Sequence, residues 1–192
     1  MCIRDRYERS LRQLGAAAVH AALDNAGLER VDALYLSNML SDELQSQKHL
    51  AALVADEAGL ANVEAIQVRA ATASGAAALR VAFLSVASGM VETAVVVGVE
   101  KMSDQVPTPA LAKALDAERE LPDGATLIGQ NALVMRFYME RYGVPAEAFV
   151  NFAVNAHRNA RHNPNAMFQD KVITAETVLS SRLIVPPIRL YD

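Results

Sequence analysis

Residues Val68 to Leu79 read VRAATASGAAAL, and the reading of this stretch decides the fold class. A β-prone residue hands over, through a run of small side chains, to an alanine-rich segment, so a strand ends here and a helix begins. Working outward, Val63–Ala71 reads as the strand, Ser74–Ser88 as a helix stopped by Gly89, and Thr93–Val99 as a further buried strand. Strand, helix and strand in this order predict a βαβ unit with a right-handed crossover. The AVVVG run at 94–98, apolar on both faces, fits a central strand covered by helices on each side. The fold class is α/β.

Upstream, Leu11, Leu14, Ala18, Ala22 and Leu23 recur at helical spacing before Asn25 and Gly27, which predicts a helix over 7–26. Val31–Leu36 (VDALYL) is a short β-prone run, and polar Ser37, Asn38 and Ser41 lead to a second amphipathic helix near Gln47–Ala58. After Lys101 the pattern turns polar, with Pro107, Pro109, Pro122 and Gly124, and then gives two helices near 125–142 and 146–162 that look like an inserted cap. Thr174 is placed to cap a short helix, and Leu183–Val185 resumes an apolar strand before Pro186 and Pro187. The expected organisation is a leader of foreign character over 1–6 (MCIRDR), an α/β half over 7–105, a helical loop or cap region over 106–182, and a strand over 183–192 returning to the core of a truncated chain.

Composition narrows the function classes. With 52% hydrophobic residues, 5% aromatics and no Trp, the core must be filled by Ala, Val and Leu, which suits helices packed closely on a parallel sheet. The 18 basic and 22 acidic residues give a net charge of −4, scattered in sign, so no basic stripe for nucleic acid is present. The single cysteine, Cys2, excludes an internal disulfide framework and a cysteine-rich metal site. No apolar run reaches the roughly 18 residues that span a bilayer, and the expected location is the cytoplasm.

The turn inside VRAATASGAAAL has chemical potential beyond packing. A helix start concentrates free N–H groups, which with the helix dipole favour negative charge, either as a thiolate or as a held oxyanion. Small residues at such a turn also serve close packing alone, and both readings stand at this point. Glu100, Lys101 and Met102 follow a buried strand, where open α/β sheets place ligand-facing residues; a solvated strand end is the plain alternative. His20 and His49 fall in structural helices, His157 and His162 on the cap, and the glycines of GATLIG are too sparse for a phosphate loop.

The block AATASGAAALRVAFLSVASGMVETAVVVGVEKMSD at 70–104 closely resembles the thiolase segment around the nucleophile, where the family reads as an AACASG-type turn. Supporting resemblance runs through LSNML, QKHLAALVADEAGL, GATLIGQNALVMRFYMERYGV and NAHRNARHNPNAMF, covering nearly the whole chain after residue 6. It points to the thiolase superfamily, acetyl-CoA acyltransferase-like, in its archaeal and bacterial thiolase-like subgroup.

The resemblance implies a five-layered αβαβα fold of two similar halves, of which only the first half and the helical loop domain are present. It implies action on acyl-CoA thioesters by Claisen condensation or thiolysis in lipid metabolism, a tight homodimer, and no metal or redox cofactor. It assigns Thr72 to the position of the family's nucleophilic cysteine, and suggests substrate contact for Glu100, Met102 and His157. An alcohol needs a dedicated base where a thiol does not, so an inactive site is expected in this chain, with Thr72's β-branch also resisting a strained turn. Two alternatives remain: a non-catalytic acyl-CoA-binding or scaffold subunit, working with a small OB-fold or zinc-ribbon partner protein, and a thiolase-like retro-aldol lyase that needs no cysteine acyl intermediate.

Overall fold

Residues 8–192 are described by a computed structural model; the leader expected over 1–6, with Cys2, lies outside the described residues. Helix α1 (Leu11–Ala26) starts at Ser10, whose hydroxyl accepts from the Gln13 N–H at 3.2 Å while Gln13 Oε1 accepts from the Ser10 N–H at 3.0 Å. This reciprocal cap satisfies two amides at the helix start. Gly27, at φ +66°, ends the helix in the left-handed conformation that glycine takes without a Cβ penalty.

The chain then runs through β1 (Ala33–Ser37), α2 (Ser41–Leu44), α3 (Leu50–Glu57), β2 (Glu64–Val68), α4 (Ser74–Ala87) and β3 (Ala94–Gly98). The three strands form one parallel sheet in the order β2-β1-β3, with Ser37 opposite both Val68 and Gly98. The expectation that AVVVG is the central strand is therefore corrected among the described strands: β1 is central and β3 pairs with β1 alone. The physical difference is visible in burial. All five β1 residues are buried, whereas β3 alternates between buried Val95 and Val97 and partly exposed neighbours. The short VDALYL run was the less conspicuous of the two because its polar Asp32 interrupts the apolar pattern.

Helices cover both faces of this sheet. On one side α1 and α3 bring Val19, Leu23, Leu50 and Val54 against Leu34, Leu36, Val95 and Val97; on the other, Ala78 and Ala82 of α4 pack on Ala33 and Tyr35. Each large aliphatic side chain so buried is worth about 1.5–3 kcal/mol. The tight α1–α3 approach depends on Gly15, where a Cβ would come within 2.8 Å of Val54 Cγ2. Fully buried Tyr35 satisfies its phenol by donating to Glu64 Oε1 at 2.7 Å, with Ser85 Oγ 2.8 Å away. At the amino end of the sheet, where Glu64 also lies, Asp32 Oδ2 accepts from the Thr93 N–H, the Glu92 N–H and the Thr93 hydroxyl at 2.9, 3.0 and 3.1 Å, joining the starts of β1 and β3.

Ala78 and Ala82 of α4 are buried against the sheet, with Val81 partly buried beside them. The outward side of α4 carries Leu79, Phe83 and Leu84, with Met90 just beyond, exposed at 62%, 69%, 49% and 76% respectively.

The chain divides into two compact units between Ala110 and Leu111, within α5 (Thr108–Ala112). In the second unit α6 (Leu127–Tyr142) is capped by Thr126 Oγ1, accepting from the Gly129 N–H at 3.0 Å, and stopped by left-handed Gly143. A 3-10 turn over Ala146–Phe149 leads into α7 (Val150–Ala160), so the helix expected over 146–162 is divided at Phe149. Thr174 caps α8 (Ala175–Leu179), as its spacing to Thr177 allows. Val150, Ala153, Ile173 and Val178 form the local core. Strands β4 (Leu183–Val185) and β5 (Ile188–Arg189) pair antiparallel with one another as a separate two-stranded sheet. Among the described residues no helix is long and apolar enough to cross a membrane.

Candidate active site at the carboxyl edge of the parallel sheet

Parallel strands deliver their C-terminal ends to the same edge, and the loops leaving that edge are where open α/β sheets hold ligands. Here the edge gathers three segments: the β1–α2 loop at 38–40, the β2–α4 turn at 69–73, and the stretch after β3 at 99–105. Thr72 lies in the second, Glu100 and Met102 in the third.

The turn before α4 is strained at one residue. Ala71 has φ +47°, in the left-handed region, which costs an L-residue about 1–2 kcal/mol. The strain falls on Ala71 and not on Thr72, so the expected conflict between a β-branch at 72 and the turn is corrected: Thr72 carries its branch at a residue without positive φ. Ser74 bridges the Ala71 torsion, and its N–H also donates to the Ala71 carbonyl at 3.2 Å. Its buried hydroxyl accepts from the Ala70 N–H at 2.9 Å and donates to the Ala71 carbonyl at 2.6 Å. The Ala73 N–H donates to the Ala70 carbonyl at 2.9 Å, closing the turn. Thr72 is exposed on it, immediately before a 14-residue helix with no side-chain cap and no acidic residue in its first turn. The positive end of that helix therefore bears on position 72 without a competing carboxylate.

Around the turn the loops are sewn together by side chains. Arg69, three residues before Thr72, pairs with Asp42 of α2 through Nη1–Oδ2 at 2.9 Å and Nη2–Oδ1 at 2.5 Å. This ion pair holds the Asp42 carboxyl below the ordinary carboxylate range. Asn38, 1% exposed, donates from Nδ2 to the Val99 carbonyl at 2.7 Å and accepts from the Ser41 N–H at 2.8 Å, so one amide group ties the end of β1 to the end of β3. Gln45 Nε2 donates to the Lys101 carbonyl at 2.8 Å, and Gln105 Nε2 to the Leu44 carbonyl at 2.7 Å. Lys101, buried, meets Asp104 at 2.9 Å.

Glu100 joins this fabric. Its Oε1 accepts from the Met39 N–H and, at 3.3 Å, from the Leu40 N–H. The residue keeps exposed surface overall, yet partial desolvation of the carboxyl raises its pKa more than the two amides and the Arg69 charge lower it. Met102 beyond it is exposed. His157 belongs to the second unit, where Nδ1 lies 3.1 Å from the Ala153 carbonyl on its own helix. Its ring stacks on Phe168 at 6.2 Å between centroids and meets Tyr191 edge-on at 5.9 Å, while the Lys171 ammonium sits 4.5 Å from the Tyr191 ring. Thr72, Glu100 and Met102 thus share one edge of the first unit, and His157 sits in an aromatic cluster of the second.

Sequence reasoning did not single out Ser74, Arg69, Asp42 or the fixing role of Asn38. Ser74 carried a legible signal, a hydroxyl two residues into a small-residue turn. The Arg69–Asp42 pair spans 27 positions and carried none.

Comparison with known proteins agrees with this geometry. The family described as "Thiolase, N-terminal domain" matches residues 6–182. An acetyl-CoA acetyltransferase of Methanothermobacter thermautotrophicus is 40% identical over 189 residues, covering 97% of this chain and 49% of the relative. A steroid side-chain-cleaving aldolase of Thermomonospora curvata is 31% identical over 196 residues, covering 96% and 49%. Among solved structures, the Ltp2-ChsH2(DUF35) aldolase superposes with a TM-score of 0.74 at 29% identity, over 97% of this chain and 48% of that one. The chain spans about half the length of the curated relatives it matches. With the family match over residues 6–182 and the structural likeness in agreement, the chain belongs to the thiolase family and carries its N-terminal domain.

Proposed function

We propose that the protein to which this chain belongs acts on acyl-CoA thioesters as a thiolase-type acyltransferase, and that the chain alone, with threonine at 72, does not turn over. The observation that carries the reading is the placement of Thr72, in a family-matched stretch, on an exposed turn at the positive end of α4. In thiolase chemistry a nucleophile attacks the thioester carbonyl, the C–S bond breaks, and coenzyme A leaves with a proton. A second acyl-CoA, deprotonated beside its carbonyl, then takes the acyl group. The Thr72 alcohol cannot be sufficiently ionised at neutral pH without a base, so the first of these steps fails. The reading requires the coenzyme A thioester and no metal or redox cofactor. Glu100, its carboxylate bonded to the Met39 and Leu40 amides, and Met102 are assigned contact with acyl-CoA at the carboxyl edge of the first unit, and His157 is assigned a coenzyme contact within the second.

A second reading, aldol cleavage of an acyl-CoA, is favoured by the same threonine, because a carbon–carbon bond beside a hydroxyl can break without an acyl-enzyme. The aldolase named among the relatives and the aldolase among the solved structures support it. The Ltp2-ChsH2(DUF35) aldolase is named for two components, which supports a partner protein for the whole enzyme. Incubation of the longer protein with acetoacetyl-CoA and coenzyme A, and separately with a β-hydroxyacyl-CoA, tests both. Acetyl-CoA release supports acyl transfer, aldehyde or ketone release supports cleavage, and neither reaction with retained acyl-CoA binding supports a binding subunit. Loss of binding as well would overturn all three.

A further inference from the structure

We propose that Ser74 is the positioning residue for position 72: its single buried hydroxyl holds Ala71 in the left-handed conformation and thereby aims the side chain of residue 72 at the start of α4. The assignment rests on reading position 72 as the reaction position of the proposed function. Three observations converge. Ala71 is a non-glycine residue at φ +47°, so something must stabilise a backbone that its Cβ opposes. Ser74, 5% exposed, bridges the residues on both sides of that torsion, accepting from the Ala70 N–H and donating to the Ala71 carbonyl. Residue 72 emerges between these anchors, exposed, at a helix end that carries no acidic first-turn residue.

The role differs from ordinary helix capping. The N-terminal residue of α4 is flanked by Ala73, which offers no side-chain cap. The hydroxyl at 74 reaches back past that position to fix the turn, so its effect is felt by the side chain that the turn presents. Without the hydroxyl, Ala71 is free to return to the β region, and residue 72 then swings away from the amides of α4.

The test uses this chain with Thr72→Cys as a reporter of local electrostatics, since a thiolate aimed at a helix start ionises more readily. Carboxamidomethylation by iodoacetamide is followed by mass spectrometry from pH 6 to pH 10, with Cys2 as the internal reference thiol. Adding Ser74→Ala is expected to raise the apparent pKa at position 72 by about half to one unit and to slow labelling at pH 7 by about three- to tenfold relative to Cys2. Adding Ala71→Gly to that pair is expected to bring labelling back to within about twofold of the reporter chain, because glycine takes the left-handed conformation unaided. A Ser74→Ala profile that overlays the reporter chain overturns the proposal, and so does a loss that Ala71→Gly does not recover. Should Ser74→Ala alone fail to fold by circular dichroism, the variant that also carries Ala71→Gly decides: a folded protein with the reporter's profile supports the role, and any other result overturns it. No acyl-CoA enters the measurement, so its outcome stands apart from that of the proposed function.

Discussion

Arg69 grips Asp42 with both guanidinium nitrogens, at 2.9 and 2.5 Å, and so ties the strand leading into the Thr72 turn to the helix that follows β1. Ion pairs between half-exposed groups stabilise little individually; this one, with two bonds in one plane, belongs at the upper end of that small range.

Asp42→Asn should lower stability at pH 7 by about 0.5–1 kcal/mol. The folded carboxyl lies below its unfolded value, principally because of the Arg69 bonds. Its contribution is therefore complete above the unfolded pKa and is lost as pH falls through the folded one. Urea titrations at pH 7 and at successively lower pH check this: the difference between parent and variant should be full at pH 7 and shrink as the pH falls below the ordinary carboxylate range. A difference that does not change with pH would assign the effect to packing.

Gly15→Ala should destabilise the chain by about 1–3 kcal/mol, although alanine is the better helix former by about 1 kcal/mol. The new methyl would meet Val54 Cγ2 at 2.8 Å and Cγ1 at 3.1 Å, and Val54 is fully buried between α1 and α3. Adding Val54→Ala should recover part of the loss. A double-mutant cycle by denaturant unfolding gives the coupling, and strictly additive losses would refute the contact.

Tyr35→Phe should cost about 1–2 kcal/mol by leaving Glu64 and Ser85 without the buried phenol between them. Burial first, and the Glu64 charge besides, raise the phenol's pKa above its ordinary value. A raised folded pKa adds stability that is complete below the unfolded pKa and lost as pH rises through the folded one. The parent should therefore lose more stability than Tyr35→Phe above about pH 10, the ordinary tyrosine range. Thermal melts from pH 8 to pH 11 supply the comparison.

Thr72→Cys should give this chain a labelled thiol and no thiolysis of acetoacetyl-CoA. The substitution restores a group able to form a thiolate, but condensation also needs a base beside the substrate carbonyl and donors for the enolate oxygen, each worth orders of magnitude in rate. Turnover by the 192-residue variant that equals that of a longer protein with the same substitution would show that half the relatives' length suffices.

The longer protein should form a dimer through the β3 region. Among the described strands β3 bonds on one side only, to β1, which leaves a row of backbone groups available for pairing. Light scattering at micromolar concentration checks this, and a clean monomer would defeat it.

The helices and strands were legible because the side-chain periods are strong: β2 and β3 fall inside segments read from the sequence, β1 runs one residue beyond its segment to Ser37, and α4 ends one residue from its expected stop. Sheet order was not legible. VDALYL reads as β-prone and AVVVG as buried, and which one lies in the middle depends on pairing across 61 positions, from Ala33 to Ala94, that no local pattern encodes. The same limit applied at the candidate site. Thr72 and Glu100 were found through strand ends and family resemblance, whereas Asn38, which joins two strand ends through one side chain, had no local signature.

The outward face of α4 also governs how this chain responds to temperature. The heat capacity released on unfolding grows with apolar surface newly wetted, normally about 12–15 cal/mol/K per residue. Leu79, Phe83, Leu84 and Met90 already meet water in the folded chain and add little to that change. The stability curve of the isolated chain should therefore be flatter per residue than is usual for its size, with a broad thermal transition. Covering α4 would steepen the curve, so calorimetry of the chain alone and of any assembly that buries this helix would measure the thermal signature of that one surface.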